Sequence, residues 1–170
     1  MKFIFALILS ILLAGSAAGQ GWQEVKARLL PDSSFAIVET DVHGRKHRHC
    51  PYREADGTIN EDQLIWALGS LEREEWFEAG NEKQARQTLG RHYQRCHARL
   101  MSSNLPLSVD LNQAAPHQLV RLPGIGPVLA VRIIEYREQK AVFLTPDDIM
   151  KVEGIDRNKF AAIRHYIEIR

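Results

Sequence analysis

The chain has 170 residues, of which 45% are hydrophobic and 25% are charged. This length allows one ordinary domain or two small ones, and the composition excludes collagen-like, low-complexity and largely disordered chains. The formal net charge of +1 shows no basic excess of the kind that marks many nucleic-acid-binding domains. Two cysteines are too few for a disulfide-rich scaffold.

Residues 1–19 have the three-part layout of a secretory signal peptide. Lys2 precedes an apolar run from Phe3 to Ala14, and small side chains follow as far as Gly19. The apolar run has 12 residues, whereas a membrane-spanning helix needs roughly 20. An uncleaved N-terminal anchor is the alternative interpretation. We expect cleavage near residue 19 and a periplasmic or secreted mature protein, whose net charge without Lys2 is zero.

Cys50 and Cys96 are the two cysteines of the chain. In an oxidising compartment they would form a disulfide bond that closes a loop of 45 residues. The spacings His47-x-x-Cys50 and His92-x-x-x-Cys96 also allow a metal site with two cysteines and two histidines. Export favours the disulfide, and free thiols are the third option. We expect neither a metal nor another cofactor.

Residues 20–100 predict a small α+β domain, for which the sequence indicates no family. The segment from Phe35 to Val42 is rich in β-branched and aromatic residues, which favours a strand. The segment from Arg45 to Tyr52 is expected to return as its partner after a tight turn at His43-Gly44. This domain therefore begins with a β-hairpin.

Two helices are predicted after the hairpin. Asn60 is placed to cap the first, which carries an apolar face through Leu71. Asn81 is placed to cap the second, which extends to about Leu100 and turns Cys96 inward. The aromatic residues Trp66, Trp76 and Phe77 are expected in the core of this domain.

The densest group of positive side chains runs from Arg45 to His49, with Arg53 close behind. Such a run fits an accessory surface for DNA or for an acidic partner, and its charge would grow as the histidines protonate. A solvated strand or loop is the alternative interpretation.

Residues 101–106 are polar, contain a proline and show no periodicity, so they predict a linker. Residues 107–170 are expected to be helical throughout, which makes the fold class mainly α. The predicted helices run from Ala115 to Leu122, from Pro127 to about Lys140, from Thr145 onward and from Asp156 to Ile169.

The segment Leu122-Pro123-Gly124-Ile125-Gly126 lies between two of these helices. Two glycines on either side of one apolar residue allow a hairpin with positive φ angles, in which Ile125 packs inward. Gly126 allows the backbone to approach another surface closely. Pro127 then begins a helix whose first N–H groups lack partners within the helix. These donors, together with the helix dipole, suit a phosphate group.

A weaker copy of this pattern follows 30 residues later. Val152-Glu153-Gly154-Ile155-Asp156 aligns with the segment from Leu122 to Gly126, and Ile163 aligns with Ile133. Two units of helix, glycine hairpin and helix predict a compact pseudo-symmetric domain. Its two hairpin loops would be able to face the two strands of a duplex.

Residues 107–169 resemble the tandem helix-hairpin-helix domain of the ComEA family, the exported DNA receptors of bacterial natural transformation. The resemblance implies sequence-independent binding of double-stranded DNA through its backbone, without catalysis or a small-molecule substrate. A DNA-uptake complex of the membrane would be a further partner. A structural or protein-interaction module that uses the same fold for packing is the alternative. The matching residues include Val109 to Asn112, Leu119 to Pro127, Ala130, Ile133, Ile134, Tyr136, Arg137, Phe143, Asp147, Asp148, Val152, Gly154, Ile155, Tyr166 and Ile167.

Two positions depart from the family pattern and predict an asymmetric domain. Leu129 stands where DNA-binding members often have lysine, and Arg132 is expected to substitute one turn later. Asp156 replaces the second glycine of the second hairpin, so its carboxylate is expected to cap the next helix and to repel a phosphate. Arg157 and Lys159 would offset this repulsion only in part.

The predicted DNA contacts divide into backbone donors and charged side chains. Backbone N–H donation is assigned to Gly124, Gly126, Val128 and Leu129. Positive charge is assigned to Arg132, Arg157 and Lys159. The residues that shape the two hairpins, Ile125 and Gly154, complete the predicted site. No catalytic triad, carboxylate pair or nucleotide-cradling loop stands out, so we expect no enzymatic activity.

Overall fold

A computed structural model describes residues 26–102 and 108–170 of the chain. The predicted signal peptide and the greater part of the predicted linker lie outside these ranges. Within them, no helix is both long enough and apolar enough to cross a lipid bilayer.

The N-terminal region opens with a β-hairpin. Strand β1 (Phe35–Thr40) pairs antiparallel with strand β2 (Lys46–Pro51). The turn is closed by a hydrogen bond of 2.9 Å from Asp41 N to Arg45 O, and Gly44 adopts a φ of 78°. The strand pairing and this closed turn confirm the predicted hairpin. A positive φ favours glycine, which explains the residue type at position 44.

Helices α1 (Glu61–Ser70) and α2 (Asn81–Ser102) pack beside this hairpin. The side chain of Asn60 caps α1 by accepting a hydrogen bond of 3.0 Å from Gln63 N, as predicted. Helix α2 continues to Ser102, so it extends two residues into the segment predicted as a linker.

The predicted cap at Asn81 is wrong, because Asn81 is the first residue of α2 itself. Its side-chain amide donates instead to Glu39 Oε1 at 2.7 Å. Glu39 lies on β1, is only 3% exposed, and also accepts from the backbone amides of Phe77 and Glu78. A buried carboxylate is stabilised by several hydrogen-bond donors. The Asn81 side chain is one of the donors to Glu39, and it therefore does not cap α2.

The C-terminal region is built from short elements around one core. The first predicted helix is shorter than expected, the second is confirmed, and the third is a 3-10 helix. The elements are β3 (Val109–Asp110), α3 (Pro116–Leu119), α4 (Pro127–Gln139), the 3-10 helix (Pro146–Lys151), α5 (Arg157–Ile163) and β4 (Ile167–Glu168).

The prediction of a helix as far as Ile169 is wrong. Helix α5 ends at Ile163, and β4 pairs in parallel with β3. Val109 N donates to Tyr166 O at 2.8 Å, and the pairing places Ile167 in the core with 7% exposure. The two ends of the region are thereby joined, and this long-range pairing replaces the local bonds of a helix.

Two groups of buried side chains form the interior of the described residues. One fills the N-terminal region around Leu89, and the other fills the C-terminal region around Leu111 and Phe143. Helix α1 contributes to both, because Leu64 belongs to the first group and Ile65 to the second. The two regions are therefore packed directly against each other through α1.

The predicted disulfide between Cys50 and Cys96 is not formed, and both residues are free thiols. Cys50 is 2% exposed, and burial raises the pKa of its thiol to about 12. Disulfide formation proceeds through the thiolate, so this burial opposes the bridge.

The three aromatic residues expected in the N-terminal core have different environments. Trp76 packs against that core, as predicted, whereas Trp66 packs against the C-terminal core. Phe77 was expected inside, but its side chain is 57% exposed and its ring lies 4.5 Å from the ring of His47.

Candidate nucleic-acid interface

The first hairpin has the shape that its sequence predicts. Gly124 adopts a φ of 74°, and Ile125 N donates to Leu122 O at 3.1 Å. The side chain of Ile125 is only 3% exposed, so it anchors the hairpin to the core as expected. Pro123 and Gly124 are exposed, which leaves the tip of the hairpin open to solvent.

Helix α4 begins with two backbone donors for which the described residues provide no partner. Gly126 occupies the N-cap position and offers no side chain, and the N–H groups of Val128 and Leu129 have no acceptor in the described part of the chain. Nothing lies within 4 Å of the place where a Cβ atom on Gly126 would stand. An anion can therefore reach these donors and the positive end of the helix dipole.

Gly126 differs from the prediction in one respect. Its φ of −93° and ψ of −177° are extended backbone, so only Gly124 of this hairpin has the predicted positive φ. The absence of a side chain at Gly126 matters for the approach of a ligand rather than for the path of the backbone.

The second hairpin has a backbone similar to that of the first, but the helix that follows it has a side-chain cap. Gly154 adopts a φ of 92°, and Ile155 is 4% exposed. The carboxylate of Asp156 accepts a hydrogen bond of 2.7 Å from Lys159 N, which lowers the pKa of Asp156. The predicted cap is confirmed, and it occupies a donor that is free in the first hairpin.

The two hairpins contact each other through the first half of α4. A Cβ atom on Gly154 would lie 2.9 Å from Leu129 Cδ2 and 3.1 Å from Arg132 Nη1. Arg132 Nη1 also donates to Glu153 O at 3.1 Å. The Leu129 side chain is therefore a packing residue, and Arg132 links α4 to the second hairpin instead of standing free.

The remaining charged residues of the predicted site lie on α5. The side chain of Arg157 is exposed and that of Lys159 is half-buried. Lys159 is adjacent to the carboxylate of Asp156, whose pKa its charge helps to lower. The negative charge of Asp156 therefore offsets part of the positive charge of Arg157 and Lys159 at the second hairpin.

Neighbouring carboxylates offset part of the charge of the basic run, most of which lies on β2. Lys46 and Arg48 both pair with Asp32, at 2.7 and 2.9 Å. Arg45 and His47 both pair with Asp41, at 2.8 and 3.1 Å. The run is therefore a poor accessory surface for DNA.

The two histidines considered as metal ligands have other partners. His47 contacts Asp41, and His92 Nε2 lies 3.3 Å from the guanidinium of Arg53. Among the residues that the structure describes, no group of three or more histidine, cysteine or acidic side chains is arranged to hold a metal ion.

Comparison with known proteins agrees with this geometry. Residues 107–168 match the family described as the helix-hairpin-helix motif. The chain is 39% identical over 62 residues to ComE operon protein 1 of Bacillus subtilis. The C-terminal region is a helix-hairpin-helix domain of the ComEA type. This similarity covers 36% of the present chain and 30% of the Bacillus protein, so the rest of each lies outside the comparison.

The same domain is similar to part of a larger mammalian protein. Endonuclease/exonuclease/phosphatase family domain-containing protein 1 is 28% identical over 69 residues in Homo sapiens and 30% identical over 76 residues in Bos taurus. The matched segments are 12% and 13% of those proteins. No solved structure matches the chain at a comparable level of significance.

Sequence reasoning missed the contribution of α1 to the helix-hairpin-helix domain. Gly69 of α1 lies against the first residue of α4, and Asp62 contacts α3. The available signal was Gly69 itself. Glycine inside a helix costs about 1 kcal/mol relative to alanine, and close packing is one reason for its presence. Gly90 of α2 is also a helical glycine but has no close neighbour, so this signal is weak without the structure.

Proposed function

We propose that this protein binds double-stranded DNA without sequence specificity, through contacts between backbone N–H groups and phosphates, and that it is not an enzyme. The observation that carries the proposal is the start of α4. There the unpartnered amides of Val128 and Leu129 lie beside Gly126, whose surroundings are open. Contacts of this kind position a protein on DNA without reading its bases.

The two hairpins would contribute unequally. We propose that residues 107–170 form a tandem unit in which the second hairpin is a modified copy of the first. The Asp156 carboxylate occupies the Lys159 amide and adds negative charge, so phosphate binding would depend mainly on the first hairpin. With few phosphates contacted, affinity would be modest and its salt dependence shallow.

The cellular role that fits best is the retention or uptake of DNA outside the inner membrane. Two observations support this proposal: the signal-peptide pattern of residues 1–19 and the similarity to ComE operon protein 1. The chain would then be exported, with residues 20–100 as a module that precedes the helix-hairpin-helix domain and whose helix α1 packs against it. A DNA-uptake complex would be its membrane partner.

The second candidate is a structural or protein-interaction module. The packing of α1 on α4 favours it, because the domain already uses one face of α4 for contact within the chain. That contact leaves Pro123 and Gly124 exposed, however, and Val128 is 38% exposed. The hairpin tip is not covered by residues 26–102, which supports the DNA proposal.

A titration of labelled duplex DNA at two salt concentrations tests the proposal. We expect the wild-type protein to bind two unrelated duplexes with equal affinity at low salt. Gly126→Asp would place a carboxylate over the free amides and weaken binding about tenfold, the effect of losing roughly one charge-assisted hydrogen bond.

Gly90→Asp is the matched control, because it adds the same charge on α2 where nothing lies within 4 Å of the new Cβ atom. Its affinity should equal that of the wild type. Absence of binding at low salt, or equal binding by Gly126→Asp and wild type, would contradict the proposal.

A further inference from the structure

Helix α1 contacts helix α4 at the end that holds the candidate phosphate site. Gly69 lies in the last turn of α1 and faces Pro127, the first residue of α4. A Cβ atom on Gly69 would lie 2.6 Å from Pro127 O and 2.5 Å from Val131 Cγ2, which is closer than real Cβ atoms approach other atoms. The observed separation of the two helices therefore requires glycine at this position.

The position of Pro127 O beside Gly69 bears directly on the neighbouring donor. The carbonyl of Pro127 and the N–H of Val128 belong to one peptide group, which is planar and rigid. A Cβ atom at position 69 would displace this oxygen and thereby reorient the N–H bond of the same peptide group. The glycine at position 69 thus preserves the orientation of the Val128 amide, one of the two unpartnered amides at the start of α4.

Helix α1 is held in this place by contacts on both sides of Gly69. Ile65 is 1% exposed and belongs to the core of the C-terminal region. Arg73, just beyond the end of α1, pairs with Glu135 of α4 at 2.5 Å. Asp62 in the first turn of α1 accepts hydrogen bonds from His117 of α3. Helix α1 cannot move away from α4 without breaking these contacts.

We propose that α1 is a positioning element of the DNA-binding site, with Gly69 as the positioning residue for the Val128 amide. This inference rests on the proposed DNA-binding function. It gives residues 26–102 a defined part in that function, because they hold the phosphate-binding turn in the orientation that binding requires.

Gly69→Ala and Gly90→Ala form a matched pair of variants for the test. Both exchange a helical glycine, but nothing lies within 4 Å of a Cβ atom on Gly90. In the absence of DNA, we expect the amide resonance of Val128 to shift in Gly69→Ala and to stay in place in Gly90→Ala. With DNA, Gly69→Ala should raise the Kd about tenfold, as for the loss of roughly one charge-assisted hydrogen bond, and Gly90→Ala should leave it unchanged.

A second pair of variants tests the same inference if Gly69→Ala does not fold. Gly69→Ala with Val131→Ala removes the contact with Cγ2 and keeps the contact with Pro127 O, and Val131→Ala alone is its reference. The double variant should show the same shift of the Val128 amide and the same weaker binding relative to that reference. An unshifted Val128 amide, or unchanged DNA affinity, in these variants overturns the inference. A wild-type protein that binds no DNA overturns the proposed function instead.

Discussion

Asp62 of α1 accepts two hydrogen bonds from His117 of α3, one from the backbone amide and one from ring Nδ1, each 2.9 Å long. The N-cap residue of α3, Ala115, has no side-chain acceptor, so Asp62 supplies the missing cap from 55 residues away. The hydrogen bond to Asp62 raises the pKa of His117. Burial raises the pKa of Asp62, but the bonds from His117 outweigh it and lower that pKa below 3.8.

This pair predicts a pH-dependent contribution to stability. Folding raises the pKa of His117, so protonated His117 stabilises the fold fully at pH values below 6.5, the ordinary pKa of histidine. This contribution is lost as the pH rises through the pKa of His117 in the folded state. Folding lowers the pKa of Asp62, so ionised Asp62 stabilises the fold fully at pH values above 3.8, its ordinary pKa. This contribution is lost as the pH falls through the pKa of Asp62 in the folded state. The pair should therefore contribute most between about pH 4 and about pH 6.5.

Thermal denaturation of the wild type and His117→Gln measures this contribution. The difference in Tm should be largest near about pH 5.5 and should shrink towards about pH 9. His165→Gln, which replaces an exposed histidine of the same region, is the control and should show no such profile. A Tm difference that stays constant across this range would contradict the prediction.

The cap at Asp156 predicts that the second hairpin can be made to bind phosphate. Asp156→Gly frees the Lys159 amide and removes a negative charge, so we expect tighter DNA binding and a salt slope steeper by about 0.9 for one added phosphate. The same change should cost only a few tenths of a kcal/mol in the free energy of unfolding, because glycine is a tolerated N-cap.

Asp156→Asn separates the two effects of this substitution. Asparagine caps a helix as well as aspartate does, so the amide remains occupied while the charge is removed. Its DNA affinity should lie between those of the wild type and Asp156→Gly, as measured by the same duplex titration. If Asp156→Gly binds no more tightly than the wild type, the second hairpin has no latent phosphate site.

The environments of the two cysteines predict unequal thiol reactivity. Burial raises the pKa of Cys50 to about 12, and it also raises the pKa of the half-buried Cys96. Because the thiolate is the reactive form, a disulfide reagent should modify Cys50 very slowly in the folded protein and Cys96 faster. Cys50→Ala and Cys96→Ala assign the two rates.

Unfolding in guanidinium chloride should make both thiols react at one rate, since burial is their common protection. Mass spectrometry of the unreduced protein gives an independent check of the thiol state. A mass that lacks two hydrogen atoms would show a disulfide bond and would contradict the free thiols of this structure.

Interactions between neighbours in the chain made several features predictable from sequence. The turn at Gly44, the cap at Asn60 and the hairpin at Gly124 each depend on hydrogen bonds that span two to four residues. Ile125 and Ile155 point inward because they lie between a glycine turn and the start of a helix. The cap at Asp156 likewise follows from its position before α5.

Contacts between distant segments decided the features that sequence analysis missed or misplaced. Asn81 serves the buried carboxylate of Glu39 rather than its own helix. Ile167 and Glu168 pair with β3, although their spacing suits a helix. Asp32 and Asp41 offset part of the charge of the basic run.

The sequence by itself therefore determined the first hairpin and the backbone donors that follow it, which are the groups proposed to bind phosphate. Only the tertiary structure decided how that hairpin is held, because the positions of Gly69 and Asp62 against α4 and α3 depend on contacts across the fold. Local hydrogen bonds and backbone angles are encoded within a few residues. The close approach of two helices becomes visible only when both are in place.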